Sequence, residues 1–395
     1  MTETTVPKRK PGNSAFNQQR LSACQPIITP RTVFPVFIVI ATIFAPLGGI
    51  LFYFNEKALE LSIDYTYCDT EAPFDFGSIP VKYVTDSMTK IKSIPENQRP
   101  KWKRSNITIL PNNKTITQCS IRFHINKEMK PPVYLFYRLT NFFQNERGYA
   151  RSLDTDQLKG KAVNKDSLKR GGCKSLALNH EESIIYPCGL LANSMFNDTI
   201  GNLTLIDLIS SPNEITNITY NFTYNGIAPP GEAAKYKPTT YNIYQIRPPL
   251  NWEARYPDGR YTIDYPPIDP SKDEHFQVWM HTAGLPIFRK TYGINETTPL
   301  QVGYYQININ TVFPVKGFGG TKSIVISKPS TVGGKHPFPG IAYMALGILC
   351  GIVGIIFAVE SYYNSHRQYQ QPYPLPPFAN SWFVLIRDLI DKNRT

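Results

Sequence analysis

The sequence predicts a membrane protein: two transmembrane α-helices bracketing a mainly-β ectodomain with short helical insertions. Three observations predict it. Two long uncharged runs lie near the ends of the chain, four of six cysteines fall between them, and that middle stretch alternates short aromatic and β-branched runs with Pro, Gly and Asn.

The spans come first. Residues 32–54 (TVFPVFIVIATIFAPLGGILFYF) and 338–359 (FPGIAYMALGILCGIVGIIFAV) carry no charge. Each exceeds the roughly 20 residues that a helix needs to cross the hydrocarbon. The first run starts too far in, is too long and lacks a small-residue cleavage site, so it reads as an uncleaved anchor rather than a signal peptide. Lys8, Arg9, Lys10, Arg20 and Arg31 precede it and Lys57 alone follows closely, which predicts a cytosolic N-terminus. Two spans return the C-terminus to the same side. The expected parts are therefore a cytosolic segment (1–31), the first span (32–54), a lumenal or extracellular domain (55–337), the second span (338–359) and a cytosolic tail (360–395).

The net charge of +12 is dispersed among interleaved acids, apart from that basic N-terminus. The pattern suits a membrane surface and excludes nucleic acid as a partner. Cys68, Cys119, Cys173 and Cys188 lie in the middle region, where an oxidising space predicts two disulfides with three possible connectivities. Cys24 and Cys350 are expected to stay free. Glycosylation triplets at Asn106, Asn113, Asn197, Asn202, Asn217, Asn221 and Asn295 fall in the same region. An eighth, at Asn393, lies in the predicted cytosolic tail and is expected to stay bare.

Both spans carry small residues at helical spacing: Ala41, Ala45 and Gly49 in the first, Gly347 and Gly351 in the second. Such faces let helices approach closely in lipid. Pro35 and Pro46 are expected to bend the first helix. In the middle region, VYLFYRLTNFF (133–143), YYQININTVFPV (304–315) and SIVIS (323–327) read as antiparallel strands, and DEHFQVWMHTAG (273–284) as a helix. In the tail, SWFVLIRDLI (381–390) reads as an interfacial or docking helix.

Signs of catalysis are missing from the pattern. The six histidines are scattered without HExxH spacing, and GxSxG does not occur. GFGGTKS (317–323) falls short of a phosphate loop because Thr321 stands where a glycine must precede the lysine. The sequence therefore predicts neither an enzyme nor a bound cofactor or metal.

Several segments, in order, carry a resemblance. They are NSAFNQQRLSACQPIITP (13–30), NFFQNERGYARS (141–152), YPCGLLANSMFNDT (186–199), NW with YPDG (251–259), FQVWMHTAGLPIFRK (276–290), FGGTKS (318–323) and GGKHPF (333–338). Together they resemble the "cell division control fifty" or "ligand-effect modulator three" family of lipid-flippase β-subunits, and the spacing before Cys119 resembles its fungal branch. Cys24 stands for the family's usual tryptophan, Glu146 and Gly148 for basic residues, and His281 for arginine.

The resemblance implies a jelly-roll-like antiparallel sandwich with disulfides Cys68–Cys119 and Cys173–Cys188. It implies a non-catalytic partner and chaperone of a type IV P-type ATPase, needed for its exit from the endoplasmic reticulum, its stability and its cycle of phospholipid translocation to the cytosolic leaflet. The expected partner contacts are Phe16, Arg20, Leu21 and Ile27 at the cytosolic face, the small helix faces, and the ectodomain. Membrane phospholipids are the other expected partner. The competing expectation is a two-span glycosylated receptor or adhesion protein with no ATPase.

Overall fold

The computed structural model describes residues 13–21, 29–88, 99–206, 218–329 and 337–370. Its contacts separate a unit holding two long helices from a second unit, Tyr53–His336.

The first long helix runs Pro30–Lys57 and the second Phe338–Gln370. Both outrun the spans expected at 32–54 and 338–359. Hydrogen bonding inside a helix does not stop where hydrophobicity stops, so polar flanks such as Glu56–Lys57 and Glu360–His366 continue the coil. At about 1.5 Å per residue the first is about 42 Å long, more than the roughly 30 Å of a hydrocarbon core. Pro35 and Pro46 both lie inside it.

The second unit is a two-sheet β structure. Its strands are β1 (Leu59–Asp64), β2 (Gly77–Ser78), β3 (Val84–Asp86), β4 (Lys101–Ile109), β5 (Lys114–Ile125), β6 (Val133–Leu139), β7 (Ile184–Ile185), β8 (Thr199–Ile200), β9 (Leu203–Ile206), β10 (Thr219–Tyr220), β11 (Ile246–Arg247), β12 (Phe288–Asn295), β13 (Gly303–Thr311) and β14 (Lys322–Lys328). One sheet has the order β12-β6-β14-β1-β3. The other runs β10-β9-β13-β5-β4-β2, with β8 also on β13, and β7 and β11 form a small parallel pair. The three strands expected from sequence are β6, β13 and β14, and the expected helix is Glu274–Met280, started by the Asp273 carboxylate accepting from the Phe276 N–H.

Period-two alternation decides which faces meet. Val133, Leu135, Tyr137 and Leu139 of β6 point inward, as do Tyr305, Ile307 and Ile309 of β13. β14 is covered on both faces along most of its length, as befits the central strand of its sheet. Trp102, Trp252 and Trp279 are the largest fully buried side chains, in a core where each buried Leu or Phe contributes about 1.5–3 kcal/mol.

Cysteines pair as Cys68–Cys119 and Cys173–Cys188. Cys68 follows β1 and Cys119 lies on β5, so the first bond staples one sheet to the other. The bridges are separated in sequence by 51 and 15 residues. In a chain-entropy account each contributes on the order of 3–4 kcal/mol.

Candidate partner interface

The two long helices meet through a seven-residue glycine repeat on the second. A Cβ on Gly347 would lie 2.5 Å from the Ala45 nitrogen, one on Gly340 would lie 2.9 Å from the Phe52 nitrogen, and one on Gly354 would lie 2.9 Å from Ile38. The partner positions 52, 45 and 38 step back by sevens, as antiparallel helices in shallow crossing require. Gly351 sits at ordinary contact distance, 3.6 Å, from the Ala41 Cβ.

Ala41, Ala45, Gly347 and Gly351 are thus brought together and face one another within the helix pair. Gly49 is not among them: nothing lies within 4 Å of its would-be side chain, and Gly48 makes the close approach, to Met344. Seven residues advance a helix by nearly two whole turns and eight overshoot, so Gly48 returns to the face of Ala41 where Gly49 does not. The outward faces are apolar and bare, with Val36, Val39, Ile43 and Ile50 on one helix and Ile348, Leu349, Ile352 and Ile355 on the other.

Ahead of the first helix, residues 13–21 form turns in which the Gln18 N–H donates to the Ser14 carbonyl and the Arg20 N–H to that of Ala15. Phe16 is 75% exposed and Leu21 63%, and Arg20 is exposed beside them. Ile27, Cys24 and residues 381–390 lie outside the described residues.

In the ectodomain, three motif loops converge. Asn141 Nδ2 donates to the Phe318 carbonyl at 2.5 Å and Asn145 Nδ2 to that of Gly284 at 3.1 Å, while the buried Gln144 Oε1 accepts from the Ala283 N–H at 2.9 Å. Phe142 is their hub, with ring contacts to Tyr149, Trp279, Phe288, Phe313 and Phe318. Glu146 accepts from the N–H groups of Gly148 and Tyr149, which hold its carboxyl below the usual carboxylate range. Its acid is thus a local helix cap. Phe143, Leu285 and Ile287 stay exposed over these loops.

Sequence reasoning missed two buried cations. Lys290 donates to the carbonyls of Val278, Trp279 and His281 at 2.8, 2.8 and 2.7 Å, closing the end of the short helix with positive charge. Burial pulls its pKa down to about 7. Lys322 pairs with the fully buried Asp198 at 2.8 Å. Asp198 also accepts from the N–H groups of Val312 and Phe313 and from the Tyr65 hydroxyl at 2.9 Å. Burial first, then the Asp198 charge, raises the Tyr65 pKa well above its ordinary value, so it stays a donor. Four distant segments are thereby tied at one carboxylate.

The candidate glycosylation residues differ in setting. Asn106, Asn113 and Asn221 are exposed, Asn197 and Asn202 are half-buried, and Asn217 lies outside the described residues. Asn295 is 9% exposed; its Nδ2 donates to the Asn221 carbonyl and its Oδ1 accepts from the N–H groups of Thr297 and Thr298. Its amide is thus buried and bonded at both atoms. Among the described residues, no group of three His, Cys, Asp or Glu could hold a metal.

Comparison with known proteins matches residues 51–368 to the LEM3 (ligand-effect modulator 3) family / CDC50 family. The chain is 36% identical over 94% of its length to the phospholipid-transporting ATPase accessory subunit CDC50 of Chaetomium thermophilum, covering 92% of that protein. It is 38% identical over 92% of its length to the accessory subunit CRF1 of Saccharomyces cerevisiae, covering 88% of it. With mouse cell cycle control protein 50A the identity is 33% over 90% of the chain and 91% of the relative. The match to the family model over residues 51–368, with relatives 36–38% identical across most of both chains, places this membrane protein, with its glycine-locked helix pair and its Cys68–Cys119 and Cys173–Cys188 disulfides, in the CDC50/LEM3 family.

Proposed function

We propose that the chain is the non-catalytic β-subunit of a type IV P-type ATPase that moves phospholipid to the cytosolic leaflet. The observation that carries this is the similarity, over nearly the whole length of both chains, to proteins named as accessory subunits of phospholipid-transporting ATPases. The subunit lets the ATPase leave the endoplasmic reticulum, stabilises it and supports its cycle. Both termini are cytosolic, the ectodomain is lumenal or extracellular and glycosylated, and the complex works in the secretory pathway: endoplasmic reticulum, Golgi, endosome and plasma membrane.

Mass action supplies the mechanism. A partner that binds only the folded ATPase stabilises it by about 2.7 kcal/mol at a hundredfold excess over Kd. Unequal binding to two transport states would bias the cycle by the difference. Since the small helix faces are spent on each other, the ATPase meets the bare apolar outer faces, the exposed Phe16, Arg20 and Leu21, and the ectodomain.

Affinity purification of the tagged full chain tests this. A large P-type ATPase is expected to co-purify, and joint replacement Phe16→Asp with Arg20→Ala is expected to reduce its yield. Recovery of the chain with no ATPase would support the receptor or adhesion reading instead.

A further inference from the structure

A cavity of about 430 Å³ opens in the ectodomain beside Asn197. One wall is aromatic: Tyr137 stacks on Phe196 with ring centroids 3.9 Å apart, and Tyr292 and Trp279 continue the surface. Arg255 and Asp273 also line it. Its size and its mixed polar and apolar lining fit a small organic occupant that has both polar and apolar faces.

Three polar groups there are unfinished. Asn197 Oδ1 is closed off from water and has no hydrogen-bond partner, although buried polar atoms are almost always paired. Arg255, an exposed residue, makes neither an ion pair nor a hydrogen bond in the described structure, and its guanidinium lies over the Trp252 ring, 5.5 Å from the centroid. The Tyr292 hydroxyl accepts from the Ile200 N–H at 3.0 Å and keeps its own proton to donate. The backbone beside Asn197 is pinned, because the next residue, Asp198, is the buried carboxylate tied to Val312, Phe313, Tyr65 and Lys322.

We propose that this cavity is the seat of the first N-acetylglucosamine of a glycan on Asn197. The sugar's apolar face packs on the aromatic wall, and its acetamido and hydroxyl groups pair with Arg255, Asp273 and the Tyr292 hydroxyl. The attachment exchanges one Nδ2 hydrogen for a bond to the sugar's anomeric carbon, with a lipid-linked pyrophosphate donor losing its sugar–phosphate bond. Tethering makes docking an intramolecular event, so a few weak contacts suffice to hold it. The glycan is then an internal part of the fold at the junction of the two sheets. The inference rests on the ectodomain lying on the lumenal side.

The test is the rate at which peptide N-glycosidase releases each glycan from the native full chain, resolved by site with mass spectrometry. Whichever of Asn106, Asn113 and Asn221 is occupied serves as the exposed reference. Release from Asn197 is expected to be about tenfold slower than from the reference, because the enzyme must wait for local opening, and equal to it after denaturation. Arg255→Ala is expected to close most of that gap. Arg260→Ala, which removes an exposed partner of Glu181 instead, is expected to leave it unchanged. Equal native rates, or a bare Asn197 beside an occupied reference, would overturn the seat and leave the topology standing. If none of the ectodomain triplets is occupied, the lumenal placement itself fails, and the seat with it.

Discussion

Asp198→Asn is the most informative single change in the ectodomain. The substitution keeps size and shape, and it keeps the Asn-x-Thr triplet at 197–199 intact. It exchanges one carboxylate oxygen for an NH2 at a site that faces only donors. One oxygen accepts from the Val312 and Phe313 N–H groups, and the other accepts from the Tyr65 hydroxyl and the Lys322 ammonium. Whichever way the amide turns, a donor meets a donor, and Lys322, 5% exposed, loses its counter-charge. Removing one member of a buried ion pair costs about 3–5 kcal/mol. At about 2–4 °C per kcal/mol, the scale for domains of 150–250 residues, the unfolding midpoint should fall by roughly 10 °C. The assay is thermal unfolding of the purified full chain, with acquisition of mature glycans as the cellular readout of export. Asp198→Asn with Lys322→Met, which removes both charges, should recover a large part of the loss, since the cost comes from the stranded ammonium. A fall under about 2 °C for the single variant, or a double variant no better than the single, would refute the reasoning.

Three further outcomes follow from the same structure. Cysteines placed at Ala41 and Gly351, in a Cys350→Ala background, should cross-link readily, because their Cβ positions lie 3.6 Å apart, within disulfide reach; Gly49→Cys paired with Gly351→Cys should not. Gly347→Leu should reduce the yield of folded, exported chain far more than Gly49→Leu, as judged by glycan maturation, because only the former collides with the Ala45 backbone. Lys290 predicts a pH dependence. Its folded pKa is about 7 and its unfolded one about 10.5, so the unfolded chain holds more protons between them and stability rises with pH across that window, by at most about 1.4 kcal/mol per unit. Midpoints for wild type and Lys290→Met should therefore diverge between pH 7 and 10, and parallel profiles would remove the claim.

Much of this was legible in sequence where one residue type repeats at one period. The spans announce themselves by twenty or more uncharged residues, and β6 and β13 by alternation. The glycine repeat at 340, 347 and 354 was equally legible, but the GxxxG at 347 and 351 drew the reading first. What could not be read is what depends on pairing. The two-residue strands β7, β8, β10 and β11 are too short to carry a period. Asp198 and Lys322 are far apart in sequence, and nothing in either segment says that the other will supply its counter-charge. Lys290 is merely the last residue of the FQVWMHTAGLPIFRK segment in sequence, and its ammonium is held by the carbonyls at the end of the helix packed against β12. The helix pair divides the same way: small residues at helical spacing were legible, whereas which of them meet, Gly48 rather than Gly49, required the two helices side by side.

The strand β14 is last in the ectodomain and yet sits between β6 and β1. Until residues 322–328 have been synthesised, that sheet can exist only as two separate halves, β12 with β6 and β1 with β3, each offering an open edge. Closure must wait for nearly all of the domain to be synthesised. The β1 and β3 half therefore waits with an open edge from early in translation, and it is in that interval that chaperones and premature aggregation compete for the chain.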